Sequence, residues 1–225
     1  MIGPNTTPVS KARPTRAVFE GVLLGTAVGD ALGLPAENLS PGRISRLWKD
    51  EWRMRFLLGH GMISDDTEHT LMVAQSLLSH PADVRSFQRS LAWKLRWWFA
   101  SLPGGVGLAT AKACLKLWLG FSPEKSAVHS GGSGPAMRSA IIGAYFAEET
   151  AKRREFVRAS ARLTHHGWQA ETAALAVAEC SAIAATDPGP PDISLLLSKL
   201  RELSAEPEWQ QRLAQIETGL ERRAS

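Results

Sequence analysis

Cysteine is nearly absent: Cys114 and Cys180 are the two in 225 residues, too few for a disulfide framework. A chain of this length buries roughly 70% of its unfolded surface and can fold on an apolar core without staples. Both thiols are therefore expected as small buried side chains in a reducing compartment. Long apolar runs are also missing. No stretch approaches the ~18 uninterrupted apolar residues of a membrane span, and no signal-type run follows Lys11, Arg13 and Arg16 before Glu20. A soluble, cytoplasmic chain with no membrane partner is expected. A strong charge bias is lacking too, with 26 Lys+Arg against 22 Asp+Glu and a net charge of +4. The bases are interspersed with acids, as in Lys152-Arg153-Arg154-Glu155, which reads as a solvated helix face. The basic balance and Arg96-Trp97-Trp98 would motivate a nucleic-acid partner, but the bases do not cluster and the aromatics suit a core, so none is expected. Period-two alternation, fixed-period repeats and low-complexity tracts are absent, which excludes sheet-rich and solenoid architectures.

What is present is a globular composition, 44% hydrophobic and 21% charged. Apolar residues recur at helical spacing: Val18, Phe19, Val22 and Leu23; Leu71, Met72, Leu77 and Leu78; Val84, Phe87, Leu91, Leu95 and Trp98. Further helices are expected over 106–119, 135–149, 152–163, 168–186, 192–203 and 208–222, each bounded by residues that cap or break helices. The fold class is all-α. Residues 1–15 read as a loose segment and 16–225 as one helical domain, with Pro188-Gly189-Pro190-Pro191 a break between helices. Gly21, Gly25, Gly29 and Gly33 line one helix face. Each costs about 1 kcal/mol relative to Ala, so the stripe predicts something packed very close to it. A membrane dimer motif is the rival reading, and Glu20 and Asp30 argue against it.

Four clusters carry possible chemistry. Ser64-Asp65-Asp66-Thr67-Glu68 opens a helix. Either Asp caps it, with Asp65 and Glu68 spaced as a capping box, or the carboxylates and hydroxyls form a hard-cation site for Mg²⁺ or Mn²⁺. These two readings stand side by side. In Gly29-Asp30-Ala31-Leu32-Gly33-Leu34-Pro35-Ala36-Glu37 an acid interrupts an apolar helix that Pro35 then ends, and a buried Asp30 must find partners. Ser130-Gly131-Gly132-Ser133-Gly134-Pro135-Ala136-Met137-Arg138 is a glycine-rich turn entering a helix. It is either a connector or a phosphate cradle. Leu163-Thr164-His165-His166-Gly167 is a surface His pair or a polar pocket lining; zinc lacks a His-x-x-x-His or thiolate partner.

In this order and spacing the clusters resemble the ADP-ribosylglycohydrolase family, of the dinitrogenase reductase-activating glycohydrolase type. The resemblance rests on residues 20–37, 64–67 and 132–138 and on Thr164-His165, and runs from about Arg16 to the last residue. It implies a compact all-α domain with an Mg²⁺ or Mn²⁺ site in a cleft, and a substrate carrying ADP-ribose on a protein or small molecule. Ser64, Asp65 and Asp66 match metal ligands, and Glu37 and Asp66 are the catalytic candidates. Gly132, Ser133, Gly134, Met137 and His165 match substrate-binding positions. Glycosidic cleavage passes through an oxocarbenium-like state and needs a carboxylate or metal-bound water as base.

One departure is large. Relatives carry a second metal motif, Gly-Asp-x-Asp-Thr, near the carboxyl terminus, and no Asp-x-Asp follows Thr67 here. The chain therefore reads as an amino-terminal part of the family domain, or as a degenerate member. The rival to a hydrolase is an inactive ADP-ribose-binding or regulatory protein. Missing carboxy-terminal helices would leave the Gly21–Gly33 face and the surroundings of Leu71, Met72 and Leu77 bare, so self-association is expected. After His165, Glu171 and Glu179 are the candidates to replace the missing pair.

Overall fold

The computed structural model describes residues 14–224 apart from 50, 51, 57 and 188; the expected loose segment 1–15 lies almost wholly outside the described residues. The architecture is all-α. Helix α1 spans Arg16–Gly33 and passes into a 3-10 turn, Leu34–Ala36. Then follow α2 (Pro41–Leu47), α3 (Asp65–Ser79), α4 (Val84–Ala100), α5 (Leu108–Trp118) and α6 (Pro123–Ser126). After a two-residue strand β1 (Val128–His129) come α7 (Gly134–Met137), α8 (Ala140–Tyr145) and α9 (Thr150–Ala161). Strand β2 (His165–His166) leads into α10 (Trp168–Thr186), α11 (Ile193–Arg201) and α12 (Pro207–Ala224). The strands pair in parallel, Val128 opposite His165 and His129 opposite His166.

Helix α10 sits at the centre, packed on α7, α8 and α9. Its Ala170, Ala174, Ala178 and Ala182 recur every fourth residue and are all buried, and small side chains let neighbouring helices approach closely. The closest approach is at Gly143 of α8, where a Cβ would collide with the Ala178 backbone. Around this axis Val73, Leu77, Phe87, Leu91, Leu95, Leu117, Ile142, Phe156 and Leu163 form one continuous core. Glu179 on α10 is buried against Arg153 on α9 at 2.9 Å, an ion pair inside the same packing.

Several sequence expectations need correction. The helix expected over 135–149 breaks at Arg138 and Ser139 into α7 and α8. The Ser139 hydroxyl donates to the Pro135 carbonyl at 2.7 Å, and the Arg138 side chain turns fully inward. Cys114 is buried and its thiol lies 3.7 Å from the Leu95 carbonyl, but Cys180 is exposed. Trp98 belongs to the core, whereas Trp97 is exposed and packs edge to face with Trp93 and Trp118. The glycine stripe of α1 has no close neighbour among the described residues: a Cβ at Gly21, Gly25, Gly29 or Gly33 would meet nothing within 4 Å. On the same helix Leu24 is 66% and Val28 47% exposed. Leu71 is exposed as expected, but Leu77 is buried.

Candidate functional site

The amino terminus of α3 is organised from a distance. Ser64 occupies the N-cap position, yet its side chain makes no bond to the helix's own N–H groups. Asp30, near the end of α1, supplies the cap instead. Its Oδ2 accepts from the Ser64 N–H (2.7 Å), the Thr67 N–H (3.1 Å) and the Thr67 hydroxyl (2.6 Å), while Oδ1 accepts from the Ser64 hydroxyl (2.7 Å). A carboxylate at a helix N-terminus satisfies free donors and the helix dipole together. This resolves Asp30, which is 7% exposed, as a structural group. It also removes the capping box: Glu68 accepts from the Trp98 indole N–H at 2.6 Å.

Asp65 and Asp66 are thereby left to face a cavity of about 790 Å³. Glu37 shares it, held at the end of the 3-10 turn where its N–H donates to the Leu34 carbonyl. The next residue, Asn38, takes φ +58°, a left-handed conformation that asparagine tolerates. Across the cavity lie Gly132, Ser133, Gly134, Met137 and His165. Thr70 clamps the two sides together, its hydroxyl lying 2.9 Å from the Asp66 carbonyl and 3.3 Å from that of Met137.

The glycine-rich turn has a steric reason for its glycines. A Cβ at Gly134 would sit 2.7 Å from His165 Cε1, and one at Gly132 would sit 3.1 Å from His165 Nε2. As a donor array the turn is limited. The Gly132 N–H donates to Ser130 Oγ, those of Ala136 and Met137 donate to the Ser133 carbonyl, and Pro135 has none. Ser133 and Gly134 remain as its candidate donors.

Electrostatics divide the cavity. Burial, then the charges of Asp65, Asp30 and Glu37, push Asp66 up to about 6. Burial is also the leading cause of the upward shifts of Asp65 and Glu37, and the Asp30 charge adds to both. His165 is 5% exposed; burial and then the Arg138 charge bring it down to about 4, so it is neutral at pH 7. His166 is exposed. Glu171 and Glu179 do not reach this cavity: Glu171 pairs with Arg158 and Arg162, and Glu179 with Arg153. Arg138, which sequence reasoning assigned no role of its own, lies directly behind His165; a lone cation in the apolar helical register of 135–149 was its visible signal.

The carboxylates of Asp65 and Asp66, disfavoured as anions chiefly by burial, suit a hard divalent cation, whereas the Ser64 hydroxyl is turned to Asp30 and does not line the cavity. The number is short of a full shell. Among the described residues no three His, Cys, Asp or Glu side chains converge closely enough to hold a metal ion.

The chain resembles known proteins in sequence and in fold. An uncharacterised protein of Archaeoglobus fulgidus is 34% identical over 167 residues, covering 71% of this chain and 53% of that protein. The ADP-ribosyl-[dinitrogen reductase] glycohydrolase of Rhodospirillum rubrum is 30% identical over 153 residues, covering 65% of this chain and 50% of that enzyme. A solved structure described as an ADP-ribosylglycohydrolase-related protein complex superposes with a TM-score of 0.61 at 27% identity, over 84% of this chain and 63% of that one. The chain thus spans about half the length of the two relatives it matches in sequence. The sequence profile of one family matches residues 12–224, nearly the whole chain, and with these likenesses it places the chain in the ADP-ribosylglycohydrolase family.

Proposed function

We propose that this chain is a hydrolase of the ADP-ribosylglycohydrolase type, cleaving the bond between ADP-ribose and a protein side chain or small molecule with Mg²⁺ or Mn²⁺ assistance. The observation that carries the reading is the convergence of Glu37, Asp65 and Asp66 with the glycine-rich turn and His165 on one cavity. Gly132, Ser133, Gly134, Met137 and His165 hold the nucleotide part, which leaves the ribose toward the acids. Asp66, with a carboxyl tuned to about 6, suits a general base working near neutral pH, and Glu37 stands beside it as a second carboxylate. Asp65 and Asp66 would hold Mg²⁺ or Mn²⁺, with water filling the remaining positions. Such an ion orients ribose hydroxyls and lowers the pKa of water.

The setting is cytoplasmic in this reading, supported by a near cysteine-free sequence. The bare α1 face around Leu24 and Val28 favours self-association. Calorimetric titration with ADP-ribose, with and without Mg²⁺ or Mn²⁺, followed by hydrolysis assays on ADP-ribosylated arginine and protein, tests the function. Binding lost in His165→Ala, together with turnover lost in Asp66→Asn, is expected. Absence of any ADP-ribose binding would overturn the reading.

A second reading, an ADP-ribose-binding protein without turnover, is favoured by the lack of three converging metal-ligand side chains among the described residues. Tight ADP-ribose binding with no hydrolysis under any divalent cation would select it.

A further inference from the structure

Arg138 is an unusual charge. It is 0% exposed, and none of the atoms that accept its hydrogen bonds is anionic. Its Nε donates to Ser160 Oγ (3.0 Å), and Nη2 donates to the Ser160 carbonyl (2.9 Å) and to Thr164 Oγ1 (2.7 Å). Its Nη1 lies 3.2 Å from His69 Nδ1. Burying a cation whose direct partners are all neutral is costly, and the charge of Asp65 offsets only part of that, so every contacting neighbour has to present an acceptor lone pair. A guanidinium has no acceptor of its own.

That constraint propagates. Thr164 is fully buried, and its hydroxyl lies between Arg138 Nη2 at 2.7 Å and His165 Nδ1 at 2.9 Å. Since Arg138 only donates, the Thr164 oxygen accepts from it, and the single hydroxyl proton has His165 Nδ1 as its acceptor. The opposite arrangement, with His165 Nδ1–H pointing at Thr164, would place two donors on one oxygen and strand the hydroxyl proton in a dry interior. A neutral imidazole that accepts at Nδ1 carries its proton on Nε2. That nitrogen lies along Gly132 and Gly134 at the cavity wall.

We propose that Arg138, acting through the Thr164 hydroxyl, fixes His165 as the neutral tautomer whose Nε2–H is offered to the cavity, so that this position selects an acceptor oxygen on the ligand. Arg138 and Thr164 are positioning residues in this scheme, and His165 is the contact. The tautomer follows from geometry alone; the ligand oxygen rests on the ADP-ribose reading above. The downward shift of His165 agrees with a ring that stays neutral. His69 Nδ1 also faces this obligate donor, which puts its proton on Nε2, a buried nitrogen with no hydrogen-bond partner among the described residues.

Long-range ¹H–¹⁵N spectra of the ligand-free full chain test it, with His165 assigned by comparison to His165→Gln. The expected spectrum at pH 7 shows His165 with Nδ1 unprotonated and Nε2 protonated. Thr164→Ser should retain that pattern, and Thr164→Val should give a mixed or inverted one with the fold preserved by circular dichroism. A protonated Nδ1 in the unaltered protein overturns the proposal outright. An unchanged Nε2–H tautomer in Thr164→Val overturns the relay through Thr164. If Thr164→Val does not fold, the unaltered protein and Thr164→Ser still decide the matter. Adding ADP-ribose separates the two layers. A shift at His165 Nε2 supports the ligand contact, and binding that leaves Nε2 unmoved refutes it. No binding at all defeats the functional reading and leaves the tautomer result standing.

Discussion

The Asp30 carboxylate on α1 accepts a 2.6 Å hydrogen bond from the Thr67 hydroxyl on α3, across 37 residues of chain. Together with its bonds to the Ser64 and Thr67 N–H groups, this contact welds the end of α1 to the start of the helix that presents Asp65 and Asp66. Replacing Asp30 by Ala removes the acceptor for all of these donors at once. A loss of about 3 kcal/mol is expected, because hydrogen bonds to a charged acceptor contribute ~1.5–3 kcal/mol and orphaned buried donors add to the cost. Urea unfolding measures it. A midpoint that hardly moves would show that α3 is held by its apolar face alone.

Glycines on two helices should respond oppositely to the same change. Gly143→Ala drives a Cβ into the Ala178 backbone of α10, and backbone cannot rotate away. A cost of about 3 kcal/mol, at the upper end of overpacking effects, is expected. Gly25→Ala meets open space on α1, so the intrinsic preference of Ala decides, and a gain of about 0.8 kcal/mol is expected. Thermal melting of the two variants side by side gives the signs directly. A destabilised Gly25→Ala would mean that a partner covers that face in solution.

The helices were legible because apolar residues repeat at helical spacing within each, as in Phe87, Leu91 and Leu95 on α4. The clusters that the fold brings to one cavity were legible because their acids and glycines are contiguous, as in Asp65-Asp66 and Gly132-Ser133-Gly134. What could not be read was long-range capping. No local rule says that the α3 cap lies at Asp30, since Asp65 and Glu68 already satisfy the capping-box spacing. The break at Arg138 and Ser139 was hidden for a similar reason: the apolar rhythm continues through it while the Arg138 side chain binds Ser160 and Thr164. The glycine stripe misled because spacing reports which face is bare of side chains, not whether anything occupies it.

Arg153 and Glu179 form a pair in which both side chains are almost fully buried. Arg153 also donates to the Phe146 and Ala147 carbonyls, each at 2.8 Å, so it ties the end of α8 to α9 and α10. Glu179→Gln leaves that guanidinium without its counter-ion, and a loss of about 3 kcal/mol is expected. The double replacement Arg153→Met with Glu179→Leu should recover much of it. Denaturant titration of Arg153→Met, Glu179→Leu and their double replacement completes the cycle, with Glu179→Gln measured beside them. Equal losses in the single and double variants would show that the hydrogen bonds, rather than the unpaired charge, set the cost.

Asp66 and His165 give the protein opposing pH dependences on the two sides of one cavity. The Asp66 carboxyl is raised from 3.8 to about 6, so folding favours its protonated form. Its contribution is present below pH 3.8 and is lost as pH rises toward 6. His165 is lowered from 6.5 to about 4, so its contribution is present above pH 6.5 and is lost as pH falls toward 4. The two slopes offset each other in the unaltered chain between pH 4 and 6. Asp66→Asn removes one of them. Because Asp66 is only half-buried, a gain of about 1 kcal/mol at pH 7 is expected after solvent screening is allowed for. The gain should vanish below pH 4, and the variant's stability should then fall as pH drops from 6.5, exposing the slope of the two buried histidines, His165 and His69. Mg²⁺ or Mn²⁺ at pH 7 should raise the melting temperature of the unaltered chain by binding carboxylates that burial, then neighbouring acids, disfavour as anions, and should do so much less in Asp66→Asn. Melting curves across pH 4–8, with and without the cation, test both effects. A variant whose stability parallels the unaltered chain at every pH would show that Asp66 titrates normally and is not under pressure from its neighbours.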